Sequence, residues 1–517
     1  MVSITLDAGA YSQSPDEANG RVRLLLGTRI PAAILFALLI GWLACDLLLL
    51  CRFLGLGGPT LYAAWAALTC ALLWLVIKAR RGDLRADPTL GTLVLCLGLA
   101  VMLFALGGEG RFFYANPDWQ VRDAVLRDMT LHPWPYVYPS GDMLRAPIGM
   151  YLIPALAGKL GGQTAADLAL LCQNSMLLAL LLGIGSTLFP DARGRLIALA
   201  VFLSFSGLDV IGQVRAGDAA RLVPSAHLEG WATIQYSSTI TLAFWVPQHA
   251  IAGWLGALAV LLWRTNRLQL GALLMLPPLI ALWSPLAAMG LMPFVLYAGW
   301  HDLRHGRIGF TDLALPMLAT LIAGPGLLYL AAAGDDVGAR FYPIQPLRYL
   351  WFEMIEVLPF LLIAAAGWRA RFGGAVLAIT GCALVVMPFI QVGSWVDFAM
   401  RASIPALAIL AIHLADMLSG AWPASPRRKL ALTAVLVIGS VTGLTEIVRA
   451  LTFPVSPVPR CGFARAWEES FAAFPKYSYL APIDRIPRVI RPVRPARVAL
   501  SDPARCYARD WPKPPLF

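Results

Sequence analysis

The densest run of chemically capable residues lies between Phe112 and Tyr136, where Asp118, Arg122, Asp123, Arg127, Asp128 and His132 follow in close succession. A carboxylate four residues before an arginine, as in Asp118/Arg122 and again in Asp123/Arg127, pairs along one side of a helix. An ionised carboxylate so held is a residue type that takes a proton from an attacking hydroxyl. Asn116 and Pro117 read as a helix start, and Pro133 with Pro135 as its stop. At about 100° per residue, Gln120, Asp123 and Arg127 share a polar face, while Asp118 and Arg122 lie on the side of Val121, Val125 and Met129. The expectation is a solvated Asp123/Arg127 surface pair and an Asp118/Arg122 pair set against protein or the membrane interface. An acid in a first turn also complements the helix dipole, so a structural and a catalytic reading stand side by side for Asp118, with Asp123 the second candidate.

Fixed positive charge and hydrogen-bond donors are the complement of such a base when the leaving group is a phosphate. Arg401 is the first candidate, because arginine forks onto phosphate oxygens, with His249 as a donor beside it and Gln248 its neighbour in sequence. Arg401 also stands four residues after Asp397, so a simple ion pair is its structural alternative, and His249 has the alternative of satisfying a broken helix. Arg145 opens a short amphiphilic stretch interrupted by Pro147 and Pro154, expected to lie in the interface. Arg215 and Arg221 belong to a loop that also carries Asp218, His227, Glu229, Trp231 and Tyr236, the mixture of a sugar-binding cleft or of a polar surface loop. Glu353 and Glu356 line the same edge or pair with Arg340 or Arg348. The acidic pair Asp335 and Asp336 reads as a turn in preference to a metal site, and no Walker loop, zinc spacing, nucleophile elbow or dinucleotide glycine motif occurs.

The elements that must position these residues are membrane helices. The 517 residues are 58% hydrophobic and 14% charged, against about 45–50% and about 25% for soluble domains. Apolar runs near the bilayer-spanning length fall at about 29–51, 59–79, 89–107, 165–188, 194–212, 242–264, 268–283, 284–300, 311–333, 350–367, 374–392, 403–419 and 430–450, thirteen in all. Short connections carrying Lys78, Arg195, Arg267, Arg307, Arg371 and Arg428 alternate with longer ones, which puts the basic connections in the cytoplasm. The net charge of +11 therefore reads as topology and not as nucleic-acid binding.

This reading divides the chain into a cytoplasmic arm (1–28), three first spans (29–107), an outer loop with amphipathic helices (108–164), a transmembrane body (165–452) and a Pro/Arg-rich extension (453–517). The extension is expected on the periplasmic side despite its basic residues, lying on headgroups or on the protein's own loops or taking part in substrate binding. Cys461 and Cys506 within it can pair if that side is oxidising. Asp46, Asp209 and Asp416 fall toward the ends of their spans, which disfavours a transport path at mid-membrane.

A long first outer loop with two interfacial helices and an acid in the first of them, followed by a many-helix body and an outer C-terminal extension, resembles the GT-C superfamily of membrane glycosyltransferases. The resemblance implies an all-α polytopic fold and transfer of a sugar from a polyprenyl-phosphate carrier to a glycan, lipid or protein acceptor at the outer face of the cytoplasmic membrane. It implies that Asp118 acts as base, with Arg122, Arg145, His249, Gln248 and Arg401, and more remotely Arg215 and Arg221, on the substrate side. The chain departs from the common pattern in having three spans before the loop and no adjacent acidic pair at Asp118. No metal or other cofactor is required by the sequence. A polysaccharide polymerase or ligase, and a transporter or flippase of a lipid-linked glycan, are the alternative readings.

Overall fold

A computed structural model describes residues 25–79, 87–217, 222–332, 337–365, 371–393, 396–420, 425–498 and 503–512. Arg221, the Asp335/Asp336 pair and most of the expected cytoplasmic arm lie outside the described residues. The architecture is helical: α1 (Ala32–Phe53), α2 (Pro59–Lys78), α3 (Leu90–Leu106), α4 (Trp119–Leu131), α5 (Gly149–Ser186), α6 (Ala192–Ser204), α7 (Asp209–Ala216), α8 (Thr239–Trp245), α9 (Pro247–Arg264), α10 (Leu270–Leu274) and α11 (Leu276–Ile280) form the first part. They are followed by α12 (Pro285–Arg304), α13 (Phe310–Ala331), α14 (Pro346–Glu356), α15 (Leu358–Ala365), α16 (Gly374–Val386), α17 (Asp397–Ala402), α18 (Ile404–Ser419), α19 (Pro426–Thr452) and α20 (Phe463–Ser470).

Among the described residues, six helical segments are long and apolar enough to cross a membrane: Ala32–Phe53, Pro59–Lys78, Gly149–Ser186, Ala192–Ala216, Phe310–Ala331 and Pro426–Thr452. In Pro59–Lys78 only 22% of the most apolar window is buried, and Trp74, Ile77, Leu95, Leu196, Leu321 and Leu362 are likewise exposed. So much outward-facing apolar surface would be untenable in water and is ordinary against lipid tails. The chain is a multi-pass membrane protein. The expected span 268–283 is broken into α10 and α11, and 350–367 into α14 and α15, where Pro277 and Pro278 and then Pro359 interrupt the runs.

The connections sort into two groups. In the first, the Arg267 guanidinium donates to the Thr187 carbonyl, that of Arg371 to the Leu188 carbonyl and that of Arg195 to the Phe189 carbonyl, so basic connections expected on one side do gather at one end of the bundle. The second group holds the first long loop, the 339–341 and 390–392 segments, and the C-terminal extension. Strand β1 (Tyr136–Val137) pairs in parallel with β6 (Ala496–Arg497), β2 (Asp142–Leu144) antiparallel with β5 (Leu480–Pro482), and β3 (Ala339–Phe341) antiparallel with β4 (Ile390–Val392).

The extension is thus built onto the loop. Helix α20 lies on α4, the Tyr507 hydroxyl donates to the Gln120 carbonyl at 2.6 Å, and Trp511 Nε1 donates to the Ala115 carbonyl at 3.1 Å. Cys461 and Cys506 form a disulfide. Much of the extension packs on the protein's own loop, one of the expected locations. Helix α5 runs without a gap through the segment expected to lie apart in the interface, but Gly162 at φ 77° breaks its course. A side chain there would be forced into the left-handed region, so the break separates a first limb packed on α4 from the apolar limb behind it. Pro154 is accommodated within that first limb.

Candidate functional site

Helix α4 starts three residues after Asn116, whose Oδ1 accepts from the Asp118 backbone N–H at 3.1 Å. Asn116 Nδ2 and Trp119 Nε1 both donate to the Phe244 carbonyl, at 2.7 and 2.8 Å. The carbonyl they share sits at the end of α8, just where α9 begins, so the entry of α4 is fastened to the entry of α9. This fastening sets Arg122 opposite Gln248. Arg122 donates one nitrogen to Gln248 Oε1 at 2.7 Å and another to Asp118 Oδ2 at 3.3 Å. The guanidinium is buried, while the Asp118 side chain keeps 27% of its surface open.

Two tyrosines join this pair that the sequence did not single out. Tyr151, on the first limb of α5, lies beside the Arg122 guanidinium. Tyr479 precedes β5, and its hydroxyl has Arg122, Asp118, Arg401 and Asp397 as electrostatic neighbours. Burial raises it above the ordinary phenol value, so it stands as a neutral donor. Its position depends on the β2/β5 pairing, where the Arg145 backbone N–H donates to the Tyr479 carbonyl at 2.7 Å. Pairing between segments so distant in sequence leaves no local signal.

Arg401, on α17, donates to Asp397 Oδ1 at 2.5 Å, with Asp397 the more exposed partner. His249 has Arg401 and Arg122 as charged neighbours, and its Nδ1 lies 2.8 Å from Ser284 Oγ. Ser284 Oγ accepts the Ala287 backbone N–H at 3.0 Å as the cap of α12. If the serine hydroxyl then donates to Nδ1, the proton of the neutral ring sits on Nε2. Asp118, Arg122, Gln248, His249 and Arg401 are therefore brought together from α4, α9 and α17.

The remaining sequence candidates sit elsewhere. Asp123 is buried and not solvated, and its partner is Arg111 at 3.1 Å, not Arg127. Arg111 also holds Asp167 at 2.5 Å, and Arg127 lies by Asp128. The expected surface pair is replaced by a buried triad because Asp167, on the limb of α5 that follows Gly162, meets Arg111 beside Asp123. Burial pushes Asp123 up to about 6, with Arg111 drawing it down. The Arg145 guanidinium caps the end of α13 by donating to the Leu330 carbonyl at 3.3 Å. Arg215 lies over the Trp351 ring at 4.4 Å.

A second buried polar cluster occupies the 206–238 region. Asp209 Oδ2 accepts from Ser206 Oγ and Thr442 Oγ1 at 2.9 and 2.8 Å, and Glu356 accepts from Trp231 Nε1 at 2.8 Å. Glu356 pairs with neither Arg340 nor Arg348, and Arg340 turns to Gln391. Glu229 accepts the Ser238 backbone N–H, and burial pushes it up to about 7. These acids lock α7, α14 and α19 together, as buried carboxylates held by uncharged donors do. A small cleft lined by Tyr114, Asn116, Phe244, Glu446 and Arg449 lies at the entry of α4, and Asp118 does not line it. Among the described residues no three His, Cys, Asp or Glu side chains converge as a metal site.

Comparison with known proteins finds no family model, no curated protein and no solved structure that matches this chain.

Proposed function

We propose that this protein is a membrane glycosyltransferase of the GT-C kind, moving a sugar from a polyprenyl-phosphate carrier to an acceptor hydroxyl. The observation that carries the reading is the convergence of a partly open carboxylate, Asp118, with Arg122, Arg401, His249 and Tyr479 at one end of the bundle. In this reading the acceptor oxygen attacks the anomeric carbon, the bond from that carbon to the phosphate oxygen breaks, and polyprenyl phosphate leaves with the electron pair. Asp118 takes the acceptor proton. Arg122 orients Asp118 through its hydrogen bond to Oδ2. Arg401 exchanges part of its hold on Asp397 for the donor phosphate, where His249 and Tyr479 add neutral hydrogen bonds.

The topology proposed with it has thirteen crossings, the shorter apolar helices included, with the N-terminus cytoplasmic and the site on the outer face of the cytoplasmic membrane. The basic connections gathered at the opposite end support that orientation, as does the disulfide in the extension, which an oxidising compartment maintains. Membrane lipids, the lipid-linked donor and a glycan, lipid or protein acceptor are the partners proposed. No resident cofactor and no nucleic acid enter the scheme.

A transporter or flippase of a lipid-linked glycan is the second reading. Asp46 favours it: the residue lies two turns inside α1 and not at its end, is fully buried, and accepts from Trp283 Nε1 at 2.8 Å. Reconstituted protein offered a panel of polyprenyl-phosphate sugars and acceptor glycans separates the two. Release of free polyprenyl phosphate matched by glycosylated acceptor supports the transferase. Movement of intact lipid-linked glycan across the bilayer without release supports the transporter.

A further inference from the structure

The arginine-rich part of the C-terminal extension has two faces. Ile486, Ile490 and Val498 are buried and tie the segment 484–498 to the body. Between them Val489 and Val493 are 73% and 91% exposed, and Arg488, Arg494 and Arg497 are exposed beside them. The fold holds this outward face in place. Arg491 turns inward, donating Nε to the Ile486 carbonyl at 2.8 Å and a second nitrogen to the Asp484 carbonyl. The Ala496 backbone N–H donates to the Pro135 carbonyl, and β6 pairs with β1. Two bare valines four residues apart, ringed by arginines on a pinned backbone, are not explained by packing within this chain.

The surroundings locate the segment at the level of the lipid headgroups. Tyr136 of β1 packs edge-on against Phe53, the last residue of membrane helix α1, with ring centres 5.7 Å apart. Trp134 meets the same Phe53 ring at 5.6 Å and carries Lys159 Nζ over its face at 4.9 Å. Next to Lys159, Leu160 is 88% exposed. A half-buried tryptophan, a lysine and bare aliphatic side chains at the end of a membrane helix form an interfacial rim, and β1 joins the arginine segment to it.

We propose that the segment 484–498 is a docking strap for anionic phospholipid headgroups, with Arg488, Arg494 and Arg497 on the phosphates and Val489 and Val493 in the boundary above the acyl chains. Charge complementarity selects an anionic surface, and the valines select a bilayer over a soluble polyanion, because they are matched only by an apolar medium. The strap would hold the extension, and with it Tyr479, at a fixed height over the membrane. The proposal does not depend on the chemistry assigned to Asp118.

Hydrogen exchange of the full-length protein in nanodiscs tests it, comparing phosphatidylcholine alone with a phosphatidylcholine/phosphatidylglycerol mixture. Amides of the strap should exchange more slowly in the mixture, and high salt should reverse the effect. The triple variant Arg488→Gln/Arg494→Gln/Arg497→Gln should abolish the difference, since an arginine near an anionic surface is worth about fivefold in occupancy. Val493→Glu should reduce it while leaving α20 protected as in the wild type. Equal exchange of the strap in both lipids, with α20 protected, would overturn the proposal. So would slowing by soluble heparin that anionic nanodiscs fail to produce.

Discussion

Helix α4 and its first turn hold two acids on different faces, each with an arginine partner, and they have different fates. Asp118 is partly open and bonded to Arg122 at 3.3 Å, and the guanidinium is itself braced by Gln248. Asp123 is enclosed and bonded to Arg111, which divides its charge with Asp167. One face leaves a carboxylate partly exposed near Tyr479, which in turn neighbours Arg401, while the other spends its charges on fixing the loop to α5. The difference teaches that an i, i+4 carboxylate and arginine spacing says nothing of role until the third partner is known. A guanidinium that braces one acid leaves that acid usable, whereas a guanidinium shared by two acids makes them a joint.

Breaking the open pair at its brace should have the largest consequence. Arg122→Ala leaves Gln248 without its partner and Asp118 without its orientation, so loss of turnover should come with a destabilisation of about 3 kcal/mol, read as a lowered melting point in detergent. Arg401→Ala should lower turnover by about 100-fold to 1000-fold, as removal of a group that stabilises developing charge does, with little change in melting point because its partner Asp397 keeps 44% of its side chain open to solvent. An unchanged rate would remove Arg401 from the site.

The joint between loop and extension should be sensitive to the disulfide. Cys461→Ser/Cys506→Ser is expected to cost about 2–5 kcal/mol, measured as faster exchange in α20 and β5, and to impair turnover by releasing Tyr479. The closed pair should show itself through pH. Burial raises Asp123 from an ordinary 3.8 to about 6, so the folded form binds the proton more tightly than the unfolded one. The stability this contributes is fully present below about pH 4 and is lost as pH rises through about 6. The loop should melt higher at pH 5 than at pH 7.5 from this group, and Asp123→Asn should reduce that difference. A difference undiminished in the variant would assign it to another residue.

Much of this contrast was legible in the chain. The Asn116 and Pro117 start, the Pro133 stop and the Asp118/Arg122 spacing describe α4 and its open pair, because capping and i, i+4 contact are local. The amphipathic pattern correctly separated the two pairs onto different faces but assigned the wrong face to solvent. The third member of the Asp123 triad, Asp167, comes from the limb of α5 beyond Gly162, and its partner Arg111 sits in the turn before α4 at φ 63°, neither of which a helical wheel contains. Tyr479 reaches Arg122 through the β2/β5 pairing and Tyr151 through the first limb of α5, neither of them a local contact. Arg145 was expected on the substrate side because arginines there suit a phosphate, yet its guanidinium answers the carbonyl at the end of α13. Six of the expected apolar runs coincide with helical segments long enough to cross a membrane, and proline within a run decided whether one helix or two short ones formed, as at α10 and α11.

The central claim is that the open pair is chemical and the closed pair structural, and a crossed comparison of Asp118→Asn with Asp123→Asn at matched membrane abundance tests it most directly. Each variant is assayed for polyprenyl phosphate released from the donor accepted by the wild type, and for its melting point in the same preparation. The account predicts that Asp118→Asn loses about 100-fold to 10,000-fold in turnover and melts as the wild type does, while Asp123→Asn turns over and changes its melting behaviour. Full turnover by Asp118→Asn would contradict it.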